Sequence, residues 1–142
     1  MFDTSHFHPM LVHFPIALSM VGLLLEIIRF LFYKTESKLP CGELLLYLAT
    51  VSAVFALLAG FLFTATLSGK PLEVRNLHML LAILATISLL LTSIFYLIAR
   101  FKKESKKMFR MVGLLLYLLS AVLSGATGFL GGKLVYTYLI GL

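Results

Sequence analysis

Residues 8–33 read HPMLVHFPIALSMVGLLLEIIRFLFY, and this stretch decides the fold. Between Met10 and Tyr33 the only formal charges are Glu26 and Arg29. A helix needs about 20 mostly apolar residues to cross the hydrocarbon core of a bilayer, and the run supplies them. Pro9 suits a first helical turn, where its missing N–H would go unpaired in any case. Pro15 comes later. It deprives the carbonyl of Leu11 of its usual partner and predicts a kink or an irregular start.

Three more stretches read the same way. With the first span at about 10–33, the others are expected at about 44–67, 77–99 and 111–132. The chain has 142 residues, 61% of them apolar, and a mean hydropathy of +1.04. Soluble domains are roughly 45–50% apolar, and a core of this size cannot hide the excess. The connections are short and carry Pro, Gly, Lys or Arg. Together these features predict an all-α membrane protein: one domain over residues 1–142, folded as an up-down-up-down four-helix bundle. Asn76 is placed to cap the third helix. Gly131-Gly132 is placed to turn the chain out of the fourth. Spans one and two are placed to echo spans three and four as hairpins, although the sequence shows no convincing repeat.

The basic residues give an orientation. Arg29, Lys34, Lys38, Arg100, Lys102, Lys103, Lys106, Lys107 and Arg110 belong to one side of the membrane, and Lys70, Arg75 and Lys133 to the other. The positive-inside rule puts the first group in the cytoplasm. Both termini and all four histidines are then expected outside, on the side away from the cytoplasm. Only Asp3 is charged before the first apolar run, and no small-residue cleavage site follows it, so the first span is expected to be retained.

Composition excludes several chemistries. Cys41 is the only cysteine, so there is no intrachain disulfide, no C-x-x-C zinc or redox site and no C-x-x-C-H haem attachment. The charge of +6 and pI of about 9.6 are explained by topology, and no nucleic-acid binding is expected. No Walker A loop, G-x-G-x-x-G, H-E-x-x-H or Ser-His-Asp order is present.

Histidine inside a membrane is costly and tends to face the bundle interior or a partner. His13 lies about a turn inside span one, and His78 opens span three. Two imidazoles at matched depth can ligate haem iron axially, and haem b needs no covalent attachment. His13 and His78 are the first choice of ligands, with His8 in reserve. The glycine-rich end of span four, with Gly125 and Gly128, could offer a slot for a flat ring. Phe14, Phe129 and Leu130 could line it. The competing reading leaves the histidines at the interface and uses the glycines to pack helices or protomers in a homodimer. A third reading gathers His6, His8 and His13, with Glu73, around copper or zinc. Glu26 reads as an i,i+3 partner of Arg29 near the interface, with a proton-relay role as the alternative.

The opening stretch, His8-Pro9-Met10-Leu11-Val12-His13-Phe14-Pro15-Ile16-Ala17-Leu18, resembles a bacterial family of predicted membrane proteins, domain of unknown function 2231. Its members begin close to H-P-x-x-V-H-F-P-I-A-L. They place a histidine at the head of the third of four spans, matched here by His78, and end like G-G-x-L-V-Y, matched by Gly131-Gly132-Lys133-Leu134-Val135-Tyr136. Thr137-Tyr138-Leu139 departs from a more glycine-rich end. The resemblance implies the four-span fold and carries no settled function. The pattern is similar to small membrane cytochromes of the b type.

The expected function is therefore a haem b-binding membrane protein near the outer leaflet, moving single electrons with a quinol or a periplasmic cytochrome as partner. No substrate pocket is expected, so an electron carrier or accessory subunit is favoured over an enzyme. A cofactor-free structural subunit and an outward-facing copper or zinc protein are the alternatives.

Overall fold

The structure, a computed structural model, describes residues 7–32, 41–63, 67–102 and 105–138. It consists of four helices: α1 (Phe7–Phe32), α2 (Cys41–Phe63), α3 (Lys70–Phe101) and α4 (Lys106–Tyr138). No strand occurs among the described residues. All four helices are long and apolar enough to cross a membrane. At about 1.5 Å per residue even the shortest, with 23 residues, reaches across a hydrocarbon core about 30 Å thick. α1 packs chiefly on α2 and α3 on α4. The two hairpins then meet through α1–α4 and α2–α3, so α1 and α3 stand diagonally across the bundle.

The side chains are distributed as a bilayer demands. The interior is built from small and hydroxyl residues, among them Ala49, Ala53, Ala56, Ser88, Thr92 and Ser120. Large apolar residues such as Phe30, Phe55, Leu62 and Leu115 face outward, each more than half exposed. Lipid tails are as apolar as leucine, so there is no gain in hiding such residues. Helices associate instead through close packing of small side chains and interhelical hydrogen bonds.

Helix ends differ from the sequence expectation in two places. α3 begins at Lys70, so Asn76 is inside the helix rather than its cap. Gly69, with φ +67°, supplies the left-handed turn before it, and Pro71 presets the first helical turn. α4 runs through Gly131-Gly132 to Tyr138, because glycine weakens a helix without ending it when neighbouring helices hold it. α1 is continuous through the buried Pro15.

The hairpins repeat each other. His8 lies against Gly60 as His78 lies against Gly131, and Glu26 lies against Gly42 as Tyr96 lies against Gly113. The first and third helices match at an offset of 70 residues (His8 with His78, Glu26 with Tyr96), and the second and fourth at 71 (Gly42 with Gly113, Gly60 with Gly131). Side-chain identity is mostly lost between the halves, which is why the echo is invisible in the sequence. What persists is a contact pattern, a large side chain seated on a glycine of its hairpin partner. The hairpins run in the same direction, so the approximate two-fold axis runs along the bundle, as in parallel membrane repeats.

Candidate functional site: a histidine pair on the bundle axis

His8 and His78 meet across the diagonal. Their ring centres are 6.1 Å apart and their planes stand at 87°. Each ring is anchored within its own hairpin. His8 Nδ1 lies 3.0 Å from the carbonyl oxygen of Ala56 on α2, and His78 Nδ1 lies 2.9 Å from that of Thr127 on α4. A carbonyl can only accept, so Nδ1 carries the proton in both rings and donates it. Nε2, with its lone pair, is the ring atom left for a ligand. This is the arrangement found around metal-binding histidines, whose second nitrogen is fixed by a carbonyl or carboxylate.

Glycine makes the approach possible. A Cβ on Gly60 would lie 3.0 Å from His8 Cε1, and one on Gly131 would lie 3.2 Å from His78 Cε1. Both separations are tighter than ordinary carbon–carbon contact, about 3.5–4.0 Å. Each imidazole therefore rests directly on a helix backbone.

The pair lines a cleft between the hairpins, with Val12, Pro15 and Ile16 from α1, Ala53 and Ala56 from α2, and Ala82 and Ala85 from α3 among its walls. Thr86, Ser124 and Thr127 supply hydroxyls and Arg75 a guanidinium. The cavity measures ≈ 80 Å³. Its apolar walls with a few fixed polar groups are typical of a small-molecule pocket, but it is far smaller than the roughly 300–1,000 Å³ usual for one, so a flat macrocycle would fit only with the hairpins further apart than here.

The other residues expected at the site lie elsewhere. His13 is exposed on the outer face of α1 and takes no part in the pair. At 3.6 residues per turn, five residues from His8 turn it by about 140° around the helix, away from the axis. Phe14 and Phe129 are 60% and 75% exposed and face outward. Gly125 and Gly128 sit against Met20 and Ile16, so that glycine face receives α1 of the same chain. Leu130 is not part of the cleft lining. Glu73 is exposed, and His6 lies outside the described residues. Among the described residues no group of three or more His, Cys, Asp or Glu comes together.

The opposite end of the bundle holds a second polar cluster. Glu26, 6% exposed, accepts from Arg29 at 3.2 Å, as the sequence spacing anticipates. It also accepts from the Tyr96 hydroxyl of α3 at 3.2 Å, a bond across the axis that spacing along one helix cannot foretell. Glu43, 1% exposed, accepts from Arg100 at 2.7 Å and from Tyr47 at 2.9 Å, with Arg110 at 3.9 Å.

These features define a multi-pass membrane protein with a paired-histidine cleft near one end. The chain belongs to the family described as predicted membrane protein DUF2231, whose model matches residues 4–142. Comparisons with curated proteins and with solved structures each returned no match.

Proposed function

We propose that this protein binds one haem b between His8 and His78 and carries single electrons. The observation behind the reading is the pair itself: two imidazoles from opposite hairpins, each with Nδ1 spent on a backbone carbonyl, meeting in an apolar cleft. Metal–imidazole bonds run about 2 Å, so an ion between two facing rings sets their centres roughly 6 Å apart. The 6.1 Å separation is of that size, with the ring planes at 87°. Two imidazole nitrogens, from His8 and His78, would be enough to hold a haem, whereas a tetrahedral zinc ion needs four ligands.

Bound there, haem would supply a one-electron centre whose potential is tuned by its ligands and burial. The protein's own residues do the rest. The carbonyls of Ala56 and Thr127 hold the rings in one tautomer and orientation. Gly60 and Gly131 let them sit back against the helices. Ala53, Ala56, Ala82 and Ala85 keep the walls low. Because each hairpin gives one histidine, the site forms only when the hairpins pack together.

The charge asymmetry supports placing this end away from the cytoplasm, in a bacterial inner membrane with both termini outside. Quinol in the bilayer or a periplasmic cytochrome then becomes the natural exchange partner. The test is the haem content of protein purified from haem-supplied cells. One haem per chain, lost on replacing either His8 or His78, supports the reading. A protein that assembles normally without haem, and is indifferent to both replacements, supports a cofactor-free accessory subunit instead.

A further inference from the structure

α2 and α3 run antiparallel, and one flank of each faces the other. At the end of the bundle opposite the histidines, Arg100 of α3 donates to Glu43 of α2 at 2.7 Å. Seven residues on along α2, and seven back along α3, the hydroxyls of Thr50 and Ser93 share a hydrogen bond at 2.8 Å. The Leu89 carbonyl lies 3.4 Å from the same Thr50 hydroxyl. Steps of seven and eleven residues are close to whole helical turns, so they stay on one flank. Eleven further on from Thr50 is Phe61, and eleven further back from Ser93 is Ala82, about 17 Å nearer the histidine end. Both line the histidine cleft. The flank that is bonded at Glu43 and Thr50, 1% and 6% exposed, is open here: Phe61 is 55% exposed. The seam between α2 and α3 is latched at one end and splayed at the other.

The other seam between the hairpins is filled in the histidine half. A Cβ on Gly128 of α4 would lie 2.9 Å from Ile16 Cδ1 of α1, and one on Gly125 would lie 3.0 Å from Met20 Cε. Each histidine donates to a carbonyl of its own hairpin, His8 to Ala56 and His78 to Thr127, so each hairpin carries its histidine with it. Parting α2 from α3 at Phe61 breaks neither bond. It uncovers walls built from Ala53, Ala56, Ala82 and Ala85, and lipid tails are as apolar as those walls. Two rigid bodies swinging about a latched end is a hinge motion. As it stands the cavity of ≈ 80 Å³ is a closed state, and the α2–α3 seam is the direction in which it can widen.

We infer that the histidine cleft fills sideways from the bilayer, through a mouth between α2 and α3 that Phe61 guards, with the Glu43–Arg100 and Thr50–Ser93 bonds as the hinge. The occupant is a largely apolar molecule dissolved among the lipid chains. It offers a metal or a hydrogen-bond donor to the Nε2 lone pairs of His8 and His78. The inference rests on the cleft's role as a binding site, of which haem is one occupant, and not on haem itself.

The experiment uses the full-length, haem-free protein in lipid nanodiscs and two readouts. The chain contains no tryptophan, so Phe61→Trp places a unique fluorophore at the mouth. Lipids brominated along their acyl chains should quench it strongly, and iodide in the water should not. Iodide quenching as strong as that by bromolipid opens the mouth to water and overturns the inference. The second readout is pulsed EPR between spin labels on outward-facing positions in a Cys41→Ser background. Leu62→Cys with Leu80→Cys spans the α2–α3 seam at the histidine end, and Leu44→Cys with Leu97→Cys spans it at the latched end. Phe14→Cys with Phe129→Cys joins α1 and α4. The first pair should show a second population several ångströms longer, enriched in Phe61→Ala, while the other two stay narrow. If the first pair fails to assemble, Leu58 and Leu84, also exposed on α2 and α3, take its place. One narrow population for the α2–α3 pair at the histidine end, or equal spread in all three pairs, overturns the inference. Haem added to the same samples should enrich the longer population. Two populations that ignore haem overturn the haem reading alone and leave the mouth standing.

Discussion

His8 and His78, 70 residues apart in the chain, bring their rings to 6.1 Å across the diagonal of the bundle. Neither His13 nor any other histidine among the described residues shares the cleft. If this cleft holds haem, replacing His8 or His78 by Ala should abolish its retention, while His13→Ala leaves it unchanged. Haem-to-protein ratios from purified variants check this. Equal losses from His8→Ala and His13→Ala would remove the distinction.

The glycines under the rings make a second prediction. Gly60→Val and Gly131→Val put a branched side chain where a single Cβ already comes within 3.0 Å and 3.2 Å of an imidazole. The rings must tilt off their carbonyl partners, and disturbing such outer partners typically costs about 10–100-fold in affinity. Haem titration of the two variants measures the loss. Gly69→Ala is a useful contrast, since no atom lies within 4 Å of its Cβ position and only its positive φ is strained.

Membrane packing predicts opposite outcomes for two leucines. Leu46 is fully buried and Leu62 is 73% exposed. Leu46→Ala should cost about 2–5 kcal/mol through the cavity it leaves. Leu62→Ala should stay within about 0.5 kcal/mol, since lipid replaces what is removed. Denaturation in mixed micelles reads both.

Much of this was legible in the sequence. Four apolar runs with short polar connections gave the bundle, and the Glu26–Arg29 spacing gave its ion pair. The choice of histidine was also available. Val12, Pro15, Ser19, Leu23 and Glu26 continue the face that starts at His8 at steps of three and four, and His13 falls off that stripe. The depth of His13 within the span pointed the other way, but facing decides contact in a bundle. The hairpin repeat was out of reach, because it survives as contacts on glycines rather than as matching residues. Glu43 was also hidden. It falls at the end of the expected first connection, and helix packing brings Arg100 of α3 and Arg110 of α4 onto it.

That burial gives a fourth prediction. Arg100→Ala leaves the Glu43 carboxylate with Tyr47 at 2.9 Å and Arg110 at 3.9 Å. Removing one partner of a buried pair costs about 3–5 kcal/mol, and the half-exposed Arg100 brings the expectation to the lower end or below. Arg100→Ala,Glu43→Gln should recover part of the loss. A double-mutant cycle in micelles measures the coupling.

Orientation has a built-in reporter. Cys41 is exposed at the start of α2, at the end of the bundle opposite the histidines. A membrane-impermeant maleimide should label it in inverted vesicles and not in intact cells, with Ser68→Cys in a Cys41→Ser background behaving the other way. Labelling of Cys41 from outside would reverse the proposed topology.

The absorption spectrum of the protein purified from haem-supplied membranes tests the central claim most directly. The His8–His78 site predicts a Soret band that sharpens and shifts on reduction, at one haem per chain. A spectrum with no Soret band, from protein that is folded and monodisperse, would contradict it.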